Sequence, residues 1–138
     1  MSEGTDRNLD RFSPFSDSLG IRLIAAGTGE VLLSMPATPA LANRNGVLHG
    51  GALLGMADHA GGTLTIMNLA PGQATTTIES KTNFLRPIRI GDTAQGRTVA
   101  LHKGRTTMVV QTTITRDDGK VAAIVTQTQM IMEWREPA

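Results

Sequence analysis

The chain has 138 residues, with 13 basic against 12 acidic side chains and a formal net charge of +1. That length predicts one domain with a real core, and a near-neutral balance with no basic run of five or more gives no case for a nucleic-acid footprint. Zero cysteines exclude disulfides, a thiol nucleophile and thiolate-held metal, and aromatics at only 3% leave the core to Leu, Ile, Val, Met and Ala. Residues 1–15 carry no apolar signal core, and no window reaches the ~18 apolar residues of a membrane span. A cytoplasmic protein is expected: a flexible segment over 1–18, with at most a short amphipathic turn around Leu9, Phe12 and Phe15, then a single domain over 19–138.

Ile21–Ala26 and Val31–Met35 read as two strands joined by a hairpin at Gly27-Thr28-Gly29. Pro36 and Pro39 end the second run and open a loop toward Asn43. From there Leu53, Met56, Ala57, Ala60, Leu64 and Met67 recur at the i, i+3, i+4, i+7 spacing of a helix. Its opposite face carries Gly55, Asp58, Gly62 and Thr65, small enough to let another backbone come close. An all-round apolar helix of about five turns is a buried helix. His49-Gly50-Gly51 marks its start, where glycines leave the first helical N–H groups unobstructed and the helix dipole favours developing negative charge. Ala70-Pro71-Gly72 ends it.

Four strand-like runs follow with no second helix. They are Thr75–Leu85, Asp92–His102, Arg105–Thr115 and Val121–Trp134. The third alternates, with Met108, Val110, Thr112 and Ile114 on one face, and Asp117-Asp118-Gly119-Lys120 is a hairpin turn into the fourth. One long helix with an antiparallel sheet long enough to curl around it predicts an α+β layer pair.

Competing motifs fail on context. Gly91 to Thr98 mimics a phosphate-binding loop, but Arg97 replaces the lysine and the string lies in a strand region. No Gly-x-Ser-x-Gly elbow exists, and His49, His59 and His102 have no metal-ligand spacing with nearby carboxylates. Gly61-Gly62, mid-helix, reads as a point of close packing.

The combination Asn43-x-x-Gly46-x-x-His49-Gly50-Gly51, with Asp58 nine residues after His49, resembles the hotdog-fold acyl-CoA thioesterases of the PaaI-like (phenylacetic acid degradation) family. Phe84-Leu85-Arg86-Pro87, Gly104-Arg105-Thr106 and Asp118-Gly119-Lys120 stand where that family places comparable segments, so the resemblance covers roughly residues 20–133. It implies a sheet wrapped around a central helix, paired into homodimers and often dimers of dimers, acting on acyl-CoA with no cofactor and no metal.

For the chemistry, the resemblance implies that the N–H of Gly50 or Gly51 donates to the thioester carbonyl oxygen as charge builds, an oxyanion-hole role, and that Asn43 adds a second donor. Asp58 is then the general base or, alternatively, a nucleophile forming an anhydride. Thr77, ten residues before Pro87, matches the family's Ser or Thr and would orient the water. His49 would bond near the sulfur or fix the loop, and Arg86, Lys103 and Arg105 are candidates for the phosphates of coenzyme A. The acyl group is expected to be aryl or medium-chain.

Each residue has a plainer reading. The glycines can serve a tight turn, and Asp58 an interface ion pair, since a carboxylate in an apolar helix must be paired, hydrated or neutralised. His49 can be a cap, Thr77 an ordinary strand threonine, the basic residues surface charges. His59, about 100° around the helix from Asp58, reads as structural. Two other functions stay open: a non-catalytic acyl-CoA binding protein, and a hotdog dehydratase, for which adjacent Asp58-His59 does not supply the required pair.

Overall fold

The computed structural model describes residues 13–134. In chain order these form α1 (Pro14–Ser18), β1 (Arg22–Ala26), β2 (Glu30–Pro36), a single 3-10 turn (Pro39–Leu41), α2 (Gly50–Met67), β3 (Gln73–Phe84), β4 (Thr93–Lys103), β5 (Thr107–Thr115) and β6 (Val121–Glu133). Of the expected loose stretch, Leu9 and Phe12 lie outside the described residues, while residues 14–18 form α1. Helix α2 stops at Met67, short of the proline. Asn68 closes it there, its N–H reaching the carbonyls of Thr65 and Ile66 and its Nδ2 that of Leu64 at 2.9 Å.

The strands form one sheet in the order β1-β2-β4-β5-β6-β3. All five pairings are antiparallel. Register shifts interrupt the β1–β2, β3–β6, β4–β5 and β5–β6 ladders. Each adds local twist, which lets a sheet this long curl. Its concave face holds α2: Met56, Ala57, Ala60 and Leu64 are completely buried against Val31, Met35, Val110 and Ile114. The alternation in β5 is as expected, with Met108, Val110, Thr112 and Ile114 all turned inward. This is the hotdog arrangement of the resemblance.

Gly96 of the phosphate-loop mimic lies in β4 facing the helix, where an added Cβ would come within 2.9 Å of Met56 Cε. At the far end of β5, Gly119 takes φ +80°, and the Lys120 N–H bonds Asp118 Oδ1 at 3.0 Å. The Arg116 guanidinium, with this N–H second, holds the Asp118 carboxyl down to about 2.

Two expectations about α2 need correction. Thr65 does not belong to the open small face: it is fully buried, its hydroxyl donating to the Gly61 carbonyl at 2.9 Å. The helix is also not wrapped all round within one chain. Gly51, Leu54 and Asp58 are exposed, and nothing lies within 4 Å of a Cβ built at Gly62. Among the described residues no helix is long and apolar enough to cross a membrane.

Candidate active site

Asn43 builds the approach to α2. Its N–H bonds the Val47 carbonyl at 2.7 Å, and its Oδ1 accepts the N–H groups of Asn45 (2.9 Å) and Val47 (3.2 Å). With Oδ1 committed to two donors, Nδ2 is the end of the amide left to act on a ligand. Gly46 completes the turn at φ +77°. The loop is tied down by His49 N–H to the Leu41 carbonyl and Leu48 N–H to the Ile88 carbonyl, both at 2.8 Å.

His49 then caps the helix, its Nδ1 accepting the Gly51 N–H at 2.8 Å. Gly51's N–H is taken by the cap, whereas no described residue accepts the N–H of Gly50. The side chain of His49 therefore takes the plainer of its readings, that of a cap. Gly50 and Asn43 line one cleft of about 350 Å3, walled by Val47, Leu53, Phe84 and Pro87 with Arg86 among its residues. The Phe84 ring lies over Gly50, 3.1 Å from where a Cβ would stand.

Asp58 is outside that cleft, eight residues further on and so about 12 Å along the helix axis. It is exposed, yet tightly held. Thr77 Oγ1 donates to Asp58 Oδ1 at 2.8 Å and Gln127 Nε2 donates to the same oxygen at 3.0 Å. Gln129 Nε2 in turn donates to Thr77 Oγ1 at 2.7 Å, and Thr75 Oγ1 to Gln129 Oε1 at 3.1 Å. Thr77 therefore grips the carboxylate directly.

Register explains how these side chains meet. Thr77 pairs with Gln129 and Ser80 with Gln127 across β3 and β6, with the bulge at Ile78 between the pairs. Directly opposed residues share a face, so the extra residue keeps Thr75 and Thr77 before the bulge, and Ser80 and Thr82 after it, turned toward α2. A side chain at Gly61 would run into Gln127 Oε1. That glycine is the packing point expected at Gly61-Gly62, and it opens the helix surface for the amide.

Gln127 and Gln129, 2% and 1% exposed, are missing from the sequence-based candidates. The available signal was their period-2 continuation of the buried pair Ala123 and Val125. Fully buried glutamines are uncommon, which makes the placement informative.

The basic candidates do not gather within one chain. Arg86 sits by the helix start, its Nη1 on the Val121 carbonyl at 2.8 Å. Lys103 sits at the other end: its Nζ reaches the Thr28 carbonyl at 3.0 Å, the same oxygen that Asn68 beyond the helix C-terminus approaches. That separation is about the 27 Å length of an 18-residue helix. Arg105 is exposed in the turn after β4. Burial lowers the pKa of His59, opposed by the charges of Asp58 and Asp17. Among the described residues no group of three or more His, Asp or Glu side chains is placed to hold a metal.

The sequence model of the thioesterase superfamily matches residues 45–123, more than half the chain. PA1618 of Pseudomonas aeruginosa is 32% identical over 127 residues, covering 91% of this chain and 86% of that protein. The crystal structure of a PA1618 mutant, described as a thioesterase, superposes with a TM-score of 0.83 at 30% identity over 87% of this chain and 86% of its own. The Escherichia coli PaaI protein of the phenylacetic acid degradation operon gives 0.80 at 26% identity, covering 87% and 85%. The smu.793 protein of Streptococcus mutans, solved with acetyl CoA, gives 0.77 at 27% identity, covering 84% and 91%.

Proposed function

The chain belongs to the thioesterase superfamily and is a thioester hydrolase, and from that premise we propose that it hydrolyses acyl-CoA carrying an aryl or medium-chain acyl group. The observation that carries this reading is Asp58: an exposed carboxylate on an otherwise small and apolar helix face, fixed by hydrogen bonds that all fall on one oxygen. Such a group is placed to take a proton from water. The resulting hydroxide attacks the thioester carbonyl carbon, and the oxyanion is held by the Gly50 N–H and Asn43 Nδ2. Collapse breaks the C–S bond, and the proton held by Asp58 passes to the departing thiolate. Gly51 contributes through the His49 cap. A cleft of about 350 Å3 lies at the small end of ligand pockets, about 300–1,000 Å3, which suits the acyl group and leaves the nucleotide outside.

Carbonyl and water must meet at about 3 Å, whereas Gly50 and Asp58 of one helix are about 12 Å apart. Two antiparallel α2 helices about a two-fold axis bring the start of each to the carboxylate of the other. The same pairing brings the Lys103 and Arg105 end of one chain toward Arg86 of its partner, so that one coenzyme A can reach both. Strand β3 supports a dimer independently: it is a twelve-residue sheet edge carrying exposed Ile78 and Phe84, the kind of edge that pairs or is covered.

The test is release of free thiol from a panel of acyl-CoAs, measured for the native protein and Asp58→Asn. The expected result is turnover on aryl or medium-chain substrates that falls at least ~10²-fold in the variant, with KM nearly unchanged. Binding without thiol release would instead establish an acyl-CoA binding protein, and near-normal turnover in the variant would remove Asp58 from the mechanism.

A further inference from the structure

Two completely buried amides behind the carboxylate have no part in the chemistry above. Gln127 spends its Nε2 on Asp58 Oδ1, and Gln129 spends its Nε2 on Thr77 Oγ1. An ionised carboxylate only accepts, and a primary amide nitrogen only donates. With Gln129 donating to the Thr77 oxygen, the hydroxyl proton of Thr77 is directed onto Asp58, 2.8 Å away. The orientation extends back to Thr75, whose hydroxyl occupies Gln129 Oε1 at 3.1 Å, and the second Gln129 N–H faces Gln127 Oε1 at 3.4 Å. Both donors to Asp58 converge on Oδ1, and no described residue donates to Oδ2.

Resting on the reading of Asp58 as the base, we infer that Gln127 and Gln129 are positioning residues that lock Asp58 Oδ1 and reserve Oδ2 as the oxygen that takes the proton from water. The local sequence is shaped for this. A helix-interior glycine costs about 1 kcal/mol relative to alanine, yet a glycine stands at residue 61, one turn beyond Asp58, where a Cβ would strike Gln127 Oε1. A freely rotating carboxylate would offer either oxygen in many directions. Held through one oxygen, it presents the other along a fixed line, which is the geometric condition for general-base work.

The inference is tested with Gln127→Met and Gln129→Met, which keep length and remove the donors, in the same thiol-release assay. Hydrogen bonds to charged groups predict a fall in kcat of about ten- to a hundredfold for Gln127→Met, with KM and melting temperature unchanged. Gln129 acts only through Thr77, so its loss lowers kcat in the native background and adds nothing to Thr77→Val. Should Gln129→Met not fold, Gln129→Asn draws the amide back from Thr77 while remaining polar, and the same criteria apply. Native kcat in either variant, a loss shared equally by KM and melting temperature, or full additivity with Thr77→Val overturns the inference. Asp58→Asn in the same series separates the two levels. If it is active, the base assignment falls; if it is dead while both glutamine variants are normal, the positioning role alone falls.

Discussion

At the residue scale the helix start offers a direct way to remove one donor. Gly50 is the first residue of α2, where a missing N–H breaks no intrahelical bond and proline is well tolerated. His49 before it has φ −65° and ψ 135°, the extended conformation a following proline requires. Gly50→Pro should therefore fold and lose about 10²–10³ in turnover, as for a single oxyanion donor. Gly50→Ala adds the carbon facing Phe84 but keeps the N–H, and should retain far more. Equal losses in the two would assign the effect to crowding of the Phe84 ring. The residue scale also carries a pH prediction. Burial lowers the pKa of His59 below the ordinary value of 6.5, so above 6.5 the histidine is neutral in folded and unfolded chains alike. As pH falls below 6.5 the unfolded chain binds the proton first, and stability is lost until the folded value is passed. The melting temperature should fall on acidification through this window, and His59→Gln should blunt the fall; parallel curves would contradict it.

At the element scale, what could be read from the sequence depended on whether a side chain's surroundings came from its own strand or from another. The faces of β5 were legible because Met108, Val110 and Ile114 alternate with more exposed residues and their burial follows from that period alone. The turn at Gly119 and the helix start at His49 were legible from turn and cap chemistry. The site behind Asp58 was not. It depends on the bulge at Ile78 and on the pairing of β3 with β6, neither of which local composition encodes, and two glutamines in a strand read by default as exposed. Thr65 departs from expectation for a related reason: its spacing with Asp58 and Gly62 predicts their face, whereas its hydroxyl donates to the Gly61 carbonyl and needs no water. Gly61 connects helix to sheet. Gly61→Ala gains about 1 kcal/mol of helix propensity, yet its methyl group would displace Gln127. Lower turnover without a stability gain is expected from thermal melts and thiol release. A more stable, fully active variant would show that the glycine is not needed for the amide.

At the scale of the whole molecule, the proposed mechanism requires two chains to share each site. If the start of one helix faces Asp58 of the other, residue 50 lies opposite 58, and Leu54, midway between them, lies opposite its own copy. Leu54 is 38% exposed in the single chain, so Leu54→Asp should not disturb the chain's own core, but it sets two like charges face to face across the axis. Sedimentation should show monomers, and thiol release should be lost with the dimer. An active dimeric variant would move the axis elsewhere. The most direct measurement mixes Gly50→Pro chains with Asp58→Asn chains after each has proved inactive alone, and reads thiol release from the mixed dimers identified by mass. Shared sites predict that each mixed dimer regains one intact site and one doubly broken site, restoring about half the native activity per dimer. Mixed dimers that form and stay inactive would contradict the shared site.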